Sequence, residues 1–93
     1  MELLGPLFAK FVATSGLSHQ AVADAAGFDA TMIPKIIAGK RGIRTRHAVA
    51  WCVALRLNQR DTLRLTKAIH LSQASPELRE WIAALEHRSG LSL

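Results

Sequence analysis

The sequence lacks most of the features that mark secreted or membrane-inserted proteins. Only one cysteine, Cys52, is present among the 93 residues, so no intramolecular disulfide can form. Because Cys52 lies in an apolar run, we interpret it as a core thiol in a reducing compartment. The apolar stretch from Leu3 is interrupted by Gly5, Pro6 and Lys10, unlike a secretory signal, and no run approaches membrane-spanning length. We therefore expect a soluble, cytoplasmic protein.

The residue groupings that enzymes and metal sites require are also missing. Gly39-Lys40 lacks the upstream glycine of a phosphate-binding loop, because Pro34 stands there, and Arg41 replaces the hydroxyl residue after the lysine. The histidines are scattered without the spacing of metal ligands, and no cysteine pair accompanies them. We therefore expect no catalytic residue, no metal site, no cofactor and no small-molecule ligand. The histidines are His19, His47, His70 and His87.

Acidic residues are nearly absent from the centre of the chain. Nine of the twelve lysines and arginines lie between Lys35 and Lys67, and only one acidic residue, Asp61, accompanies them. A basic centre between roughly neutral ends is typical of a protein with a polyanionic partner. It is equally typical of solvated helix faces rich in arginine, and charge alone does not decide between these interpretations. The nine are Lys35, Lys40, Arg41, Arg44, Arg46, Arg56, Arg60, Arg64 and Lys67.

Helical periodicity is present throughout, and no segment alternates in the manner of a strand. Apolar residues make up 49% of the chain, enough for one core, so we predict a single all-α bundle of five to six short helices. The fourth helix has apolar residues around much of its circumference, including Val49 and Val53, and should be the most buried. The predicted helices cover Leu4–Thr14, His19–Ala26, a segment ending at Ala38, Thr45–Leu57, a segment capped by Asn58, and one beginning at Ser75-Pro76-Glu77.

Two short helices joined by a glycine turn predict a helix-turn-helix between Ser18 and Gly39. Ser18 is a candidate N-cap for the first of these helices, and Gly27 supplies the positive φ that ends it. Phe28 follows as an apolar plug, and Asp29 is a candidate cap for the second helix.

The stretch from Gly16 to Arg41 resembles the Cro and phage-repressor-like family, also called Xre-like, which has a lambda-repressor-like fold. Val22-Ala23 matches the family's packed pair, Gly27-Phe28-Asp29 its turn, and Gly39-Lys40-Arg41 its glycine-basic ending, while Ile33 and Ile36 match the inward positions of the recognition helix. The resemblance weakens through the fourth and fifth helices and stops at about Leu71. It implies a sequence-specific, double-stranded DNA-binding regulator that represses transcription by promoter occupancy as a homodimer.

The resemblance implies base contacts at Ala30, Thr31 and Lys35 on the recognition helix. These side chains are small or basic, as entry into a major groove about 12 Å wide requires. Lys35 can donate to guanine O6 and N7, while Ala30 and the Thr31 methyl group can pack on thymine methyl groups. Pro34 departs from the family pattern, because an interior proline would crowd the preceding turn. We therefore predict that this helix starts late, with Thr31 as its cap, or has a bent first turn.

Phosphate contacts are expected from the start of the second helix and from the basic loop after the third. A helix N-terminus favours an anion, and the loop supplies the cations. The expected phosphate contacts are His19, Gln20, Lys40, Arg41, Arg44 and Arg46. The remaining central cations, which are Arg56, Arg60, Arg64 and Lys67, are better interpreted as a solvated face.

The C-terminal helix lies outside the resemblance and carries a narrow apolar stripe. We assign residues 1–72 to the helix-turn-helix domain and residues 73–93 to a C-terminal helix and tail. Symmetric pairing is favoured, because one short helix-turn-helix contacts little DNA and dimers bind two half-sites. The alternatives are packing on the chain's own core, and docking of a protein partner by an antitoxin or adaptor. The predicted dimer interface consists of Leu78, Trp81, Ile82 and Leu85.

Overall fold

The computed structural model describes residues 2–74, 80, 81 and 83–85. These residues form helices and connecting turns without any strand, which confirms the all-α fold. The elements in chain order are α1 (Leu4–Ser15), α2 (His19–Ala26), α3 (Met32–Ile37), a 3-10 turn (Thr45–His47), α4 (Ala48–Ala54) and α5 (Gln59–Ser72). Residues 80, 81 and 83–85 are also helical, whereas the predicted start of the sixth helix lies outside the described residues.

Side-chain caps and glycines fix the boundaries of the helices as the sequence predicts. The Ser18 hydroxyl accepts a hydrogen bond from the Ala21 N–H (3.1 Å), and the Asn58 carbonyl oxygen accepts one from the Asp61 N–H (2.8 Å). Each cap satisfies a donor that the first helical turn leaves unpaired. At the other end of α2, Gly27 has a φ of +83°, which permits a left-handed ending.

The core lies where α1 packs against α3 and α5, and where α2 packs against α4. Trp51 of α4 is fully buried at its centre and meets Phe8 of α1 edge to face, with ring centroids 5.2 Å apart. α1 buries an apolar stripe along its whole length. The stripe consists of Leu4, Leu7, Phe8, Phe11 and Val12.

α4 is shorter and less covered than its sequence predicts. It ends at Ala54 rather than Leu57, because Arg56 adopts a φ of +55° and the Leu57 N–H donates back to the Cys52 carbonyl (3.1 Å). The expectation that its apolar residues are buried all round is wrong for Val49 and Val53, which are 73% and 68% exposed. The helix packs against α2, α5 and the adjacent 3-10 turn, so another side remains open.

Candidate nucleic-acid interface

α3 is held by two isoleucines and exposes its opposite side. Ile33 and Ile36 are 0% and 1% exposed, which confirms their predicted inward positions. Four exposed residues are spaced along the chain by three, one and three positions, so they share one face of the helix. They are Thr31, Pro34, Lys35 and Ala38. This face is therefore the surface that α3 can offer to a groove.

The late start predicted for α3 is confirmed, since Thr31 precedes its first residue, but the Thr31 side chain makes no capping hydrogen bond. Asp29 caps the turn before the helix, since one carboxylate oxygen accepts hydrogen bonds from both the N–H and the hydroxyl of Thr31 (2.9 Å each). These hydrogen bonds lower the pKa of Asp29 below its ordinary value. Pro34 is consequently the third residue of a helix that begins at Met32. The N–H groups of the first helical turn have no intrahelical partner, so the absence of an N–H on proline costs no hydrogen bond there.

The structure brings two of the three expected base-contacting residues together. Thr31 and Lys35 are exposed one helical turn apart, whereas Ala30 is half-buried and packs against the core. Ala30 therefore offers less surface to a groove than the sequence suggests. Pro34 and Ala38 complete the exposed face and were not among the expected contacts. The sequence could have predicted their exposure. With the helix start placed at Met32, both residues lie at helical spacings of three or seven residues from Thr31.

The basic loop begins directly at the C-terminal end of α3. The Lys35 carbonyl accepts hydrogen bonds from the N–H groups of Lys40 (2.9 Å) and Arg41 (3.3 Å), and Gly39 allows this turn with a φ of +75°. The backbone of the first two loop cations therefore lies against the last turn of the helix that carries Lys35.

An apolar anchor holds the rest of this loop. Ile43 is 2% exposed and inserts into the core between the exposed side chains of Arg41 and Arg44. The Gln73 side-chain amide donates a hydrogen bond to the Ile43 carbonyl, which ties the loop to the end of α5. The charged side chains are thereby presented on a fixed backbone.

Five cations between residues 35 and 46 form what we call the cationic cluster. They are Lys35, Lys40, Arg41, Arg44 and Arg46. All five are exposed, and none forms an ion pair with a residue that the structure describes. Arg46 donates to the His47 ring (3.3 Å), and its guanidinium has no carboxylate partner among the described residues. Such a group of unneutralised cations favours a polyanion.

The two expected contacts on α2 are exposed in its first turn. His19 and Gln20 follow the Ser18 cap, as a phosphate contact at this helix end requires. The Gln20 amide also donates to the Asp24 carboxylate one turn later (2.7 Å), and a phosphate contact would have to replace or share this bond.

Arg64 does not belong to a solvated face, which corrects the interpretation from sequence. Its side chain is 16% exposed and pairs with Glu2 (2.6 Å) and Asp61 (3.1 Å), with the guanidinium carbon 5.5 Å from the Phe11 ring centroid. The hydrogen bond from Arg64 lowers the pKa of Glu2, and the same bond raises the pKa of Arg64. Spacing along α5 could not reveal this role, because Glu2 is distant in sequence.

Two of the four predicted dimer-interface residues are described, and both are exposed. Trp81 is 64% exposed and Leu85 is 40% exposed, one helical turn apart. Leu78 and Ile82 lie outside the described residues. An exposed tryptophan next to an exposed leucine is an apolar surface that association can cover.

The described residues bring no three metal-ligating side chains together, and no helix among them is long and apolar enough to cross a bilayer. Comparison with protein families, curated proteins and solved structures found no match for this chain. The resemblance to Xre-like proteins therefore rests on the residues of this sequence alone, chiefly those from Gly16 to Arg41.

Proposed function

We propose that this chain is a sequence-specific, double-stranded DNA-binding regulator that acts in the cytoplasm, at the nucleoid. The observation that carries the proposal is the exposed face of α3 beside the cationic cluster. The cluster supplies sequence-independent affinity for phosphates, and the α3 face supplies base contacts in the major groove.

Repression by promoter occupancy as a homodimer is the mechanism that we propose. Symmetric pairing through the apolar surface around Trp81 and Leu85 would place two α3 helices on successive half-sites, one helical turn apart. Occupancy needs no effector domain, since the bound dimer itself excludes other proteins from the site.

Selection of bound duplexes from a random pool tests the proposal. We expect a palindromic consensus whose half-sites are centred about 10 base pairs apart or a multiple of this spacing. An Arg41→Ala variant should enrich the same consensus with weaker retention, and an Arg60→Ala variant should match the unmodified protein. Recovery of no consensus at all would contradict the proposal.

A protein-binding antitoxin or adaptor is the second candidate, and the exposure of Trp81 favours it equally. Sizing of the purified chain separates the two uses of this surface. A dimer that becomes a monomer on Trp81→Ala substitution supports the homodimer. If the chain is a monomer both with and without the substitution, symmetric pairing is contradicted. The apolar surface is then available to a different protein.

A further inference from the structure

A cleft of about 500 Å³ opens beneath the basic loop, beside the start of α3. It lies between the turn that precedes α3, the loop itself, the 3-10 turn and the end of α5. Its volume is within the range of sites for small organic molecules, about 300–1,000 Å³. The cleft is separate from the exposed face of α3, although both border the same loop.

The floor of the cleft is aromatic. The half-buried Phe28 ring stacks on the fully buried Trp51 indole, with centroids 5.1 Å apart and planes within 9° of parallel. His47 meets the Phe28 ring edge-on at 5.0 Å, and Met32 adds an apolar wall. A flat ring that is already fixed by stacking is a preformed surface for a planar ligand.

The rim of the cleft is cationic. Arg41 and Arg44 line it from the two sides of the Ile43 anchor, and none of the described residues that line the cleft is acidic. Neither arginine forms an ion pair with a described residue. A guanidinium matches a carboxylate with two parallel hydrogen bonds, so this rim favours an anionic group on the ligand.

We propose that this cleft binds a small planar organic acid, with its ring over Phe28 and its carboxylate at Arg41 and Arg44. The aromatic floor alone would accept neutral aromatic molecules, and the rim alone would accept inorganic anions. Only a molecule with both a planar ring and an anionic group interacts with the aromatic floor and the cationic rim together.

The same two arginines are expected to contact DNA phosphates, so the acid and DNA compete for them. This consequence rests on the proposed function, whereas binding of the acid does not. A bound acid would release the protein from its operator, which makes the cleft an inducer site.

Titration with 2-naphthoate, followed by the indole N–H signals in a ¹H–¹⁵N NMR spectrum, tests the site without DNA. The Trp51 signal should shift saturably, and the signal of the exposed Trp81 should stay in place as an internal control. The neutral 2-naphthamide and inorganic phosphate should each bind about tenfold or more weakly, because each lacks one half of the interaction.

A pair of variants tests whether the arginines of the rim bind the carboxylate of the ligand. Arg44→Gln should reduce 2-naphthoate affinity toward that of 2-naphthamide, with Arg41 retaining part of the interaction, while Arg60→Gln, at an exposed position on another element, should not change it. Equal affinity for 2-naphthoate and 2-naphthamide, an unchanged Arg44→Gln variant, or no saturable shift of Trp51 would overturn the proposal. If 2-naphthoate binds as expected and the chain binds no DNA, the cleft stands and the proposed function fails.

Discussion

Gly5 marks the point where α1 and α3 touch through their backbones. A Cβ at this position would lie 2.7 Å from the Ile37 carbonyl oxygen and 3.3 Å from that of Ile36. Both obstacles are main-chain atoms, which cannot rotate away as the end of a side chain can. The glycine therefore sets the distance at which α3, with its exposed face, rests on the core.

Gly5→Ala should lower the free energy of unfolding by about 1–3 kcal/mol, the usual cost of forcing extra volume into a packed contact. Urea denaturation measures the effect. Gly42→Ala is the matched control, since a Cβ there meets nothing within 4 Å and no left-handed φ is required. A Gly5→Ala variant as stable as the Gly42→Ala variant would contradict this close approach.

Asp29 stabilises the folded protein more strongly when its carboxylate is charged. Its pKa is lowered in the folded protein from an ordinary 3.8, because the Thr31 N–H and hydroxyl donate to it. The unfolded chain therefore takes up the proton first as the pH falls. The stabilisation is complete above the ordinary value and is lost as the pH falls through the lowered folded value.

The difference in unfolding free energy between the unmodified protein and Asp29→Ala should therefore be constant near neutral pH and shrink below about pH 4. Denaturation series at several pH values measure this difference. A difference that stays the same from pH 7 to pH 2.5 would show that the charge of Asp29 plays no part in holding the start of α3.

At the scale of single elements, α3 and α4 show what the sequence can and cannot predict. The late start of α3 was predictable, because the constraint on Pro34 is local and acts on its own helical turn. The open side of α4 was not predictable, because the apolar run around Val49 and Val53 does not show how many other helices will pack against α4. Arg64 illustrates the same limit, since its partner Glu2 is brought near only by the fold.

In the candidate site, too, local features could be predicted from the sequence and features that depend on distant contacts could not. Glycine turns, caps and consecutive basic residues are local signals, so the basic loop and the exposure of Lys35 could be predicted. The partial burial of Ala30 depends on its packing against the core, and the cleft over Phe28 is lined by Trp51 and Gln73 from distant segments. These features could only be seen in the folded chain.

The open side of α4 predicts unequal costs for two neighbouring substitutions. Val53→Ala should change the free energy of unfolding by less than about 0.5 kcal/mol, as for an exposed residue. Leu55→Ala, at a position that is 3% exposed, should cost about 2–5 kcal/mol. Thermal or urea denaturation of both variants measures the contrast. A loss of more than 2 kcal/mol for Val53→Ala would show that this side of α4 is covered in solution.

For the whole molecule, the distribution of charge predicts how binding responds to salt. The formal net charge is +5, and five of the described exposed cations that have no carboxylate partner among the described residues lie together in the cationic cluster. Each phosphate that a cation neutralises releases a counterion, so the logarithm of affinity should fall linearly with the logarithm of salt concentration.

Removal of one phosphate contact should reduce the slope of that line by about 0.9 for each protomer bound. Arg41→Ala should show this reduction in a fluorescence-anisotropy titration with duplex DNA at several salt concentrations. Arg60→Ala should leave the slope unchanged, because Arg60 lies on α5 outside the cationic cluster. Equal slopes for all three proteins would exclude Arg41 as a phosphate contact.

The central claim is that α3 recognises bases while the adjacent loop holds the backbone. Its most direct test is the affinity of the Lys35→Ala and Arg41→Ala variants for the selected duplex and for duplexes with single base-pair changes. Lys35→Ala should lose discrimination at one base pair, by about 1–3 kcal/mol, and Arg41→Ala should weaken binding to every duplex alike. If Lys35→Ala instead weakens all duplexes equally, α3 does not recognise the sequence through Lys35.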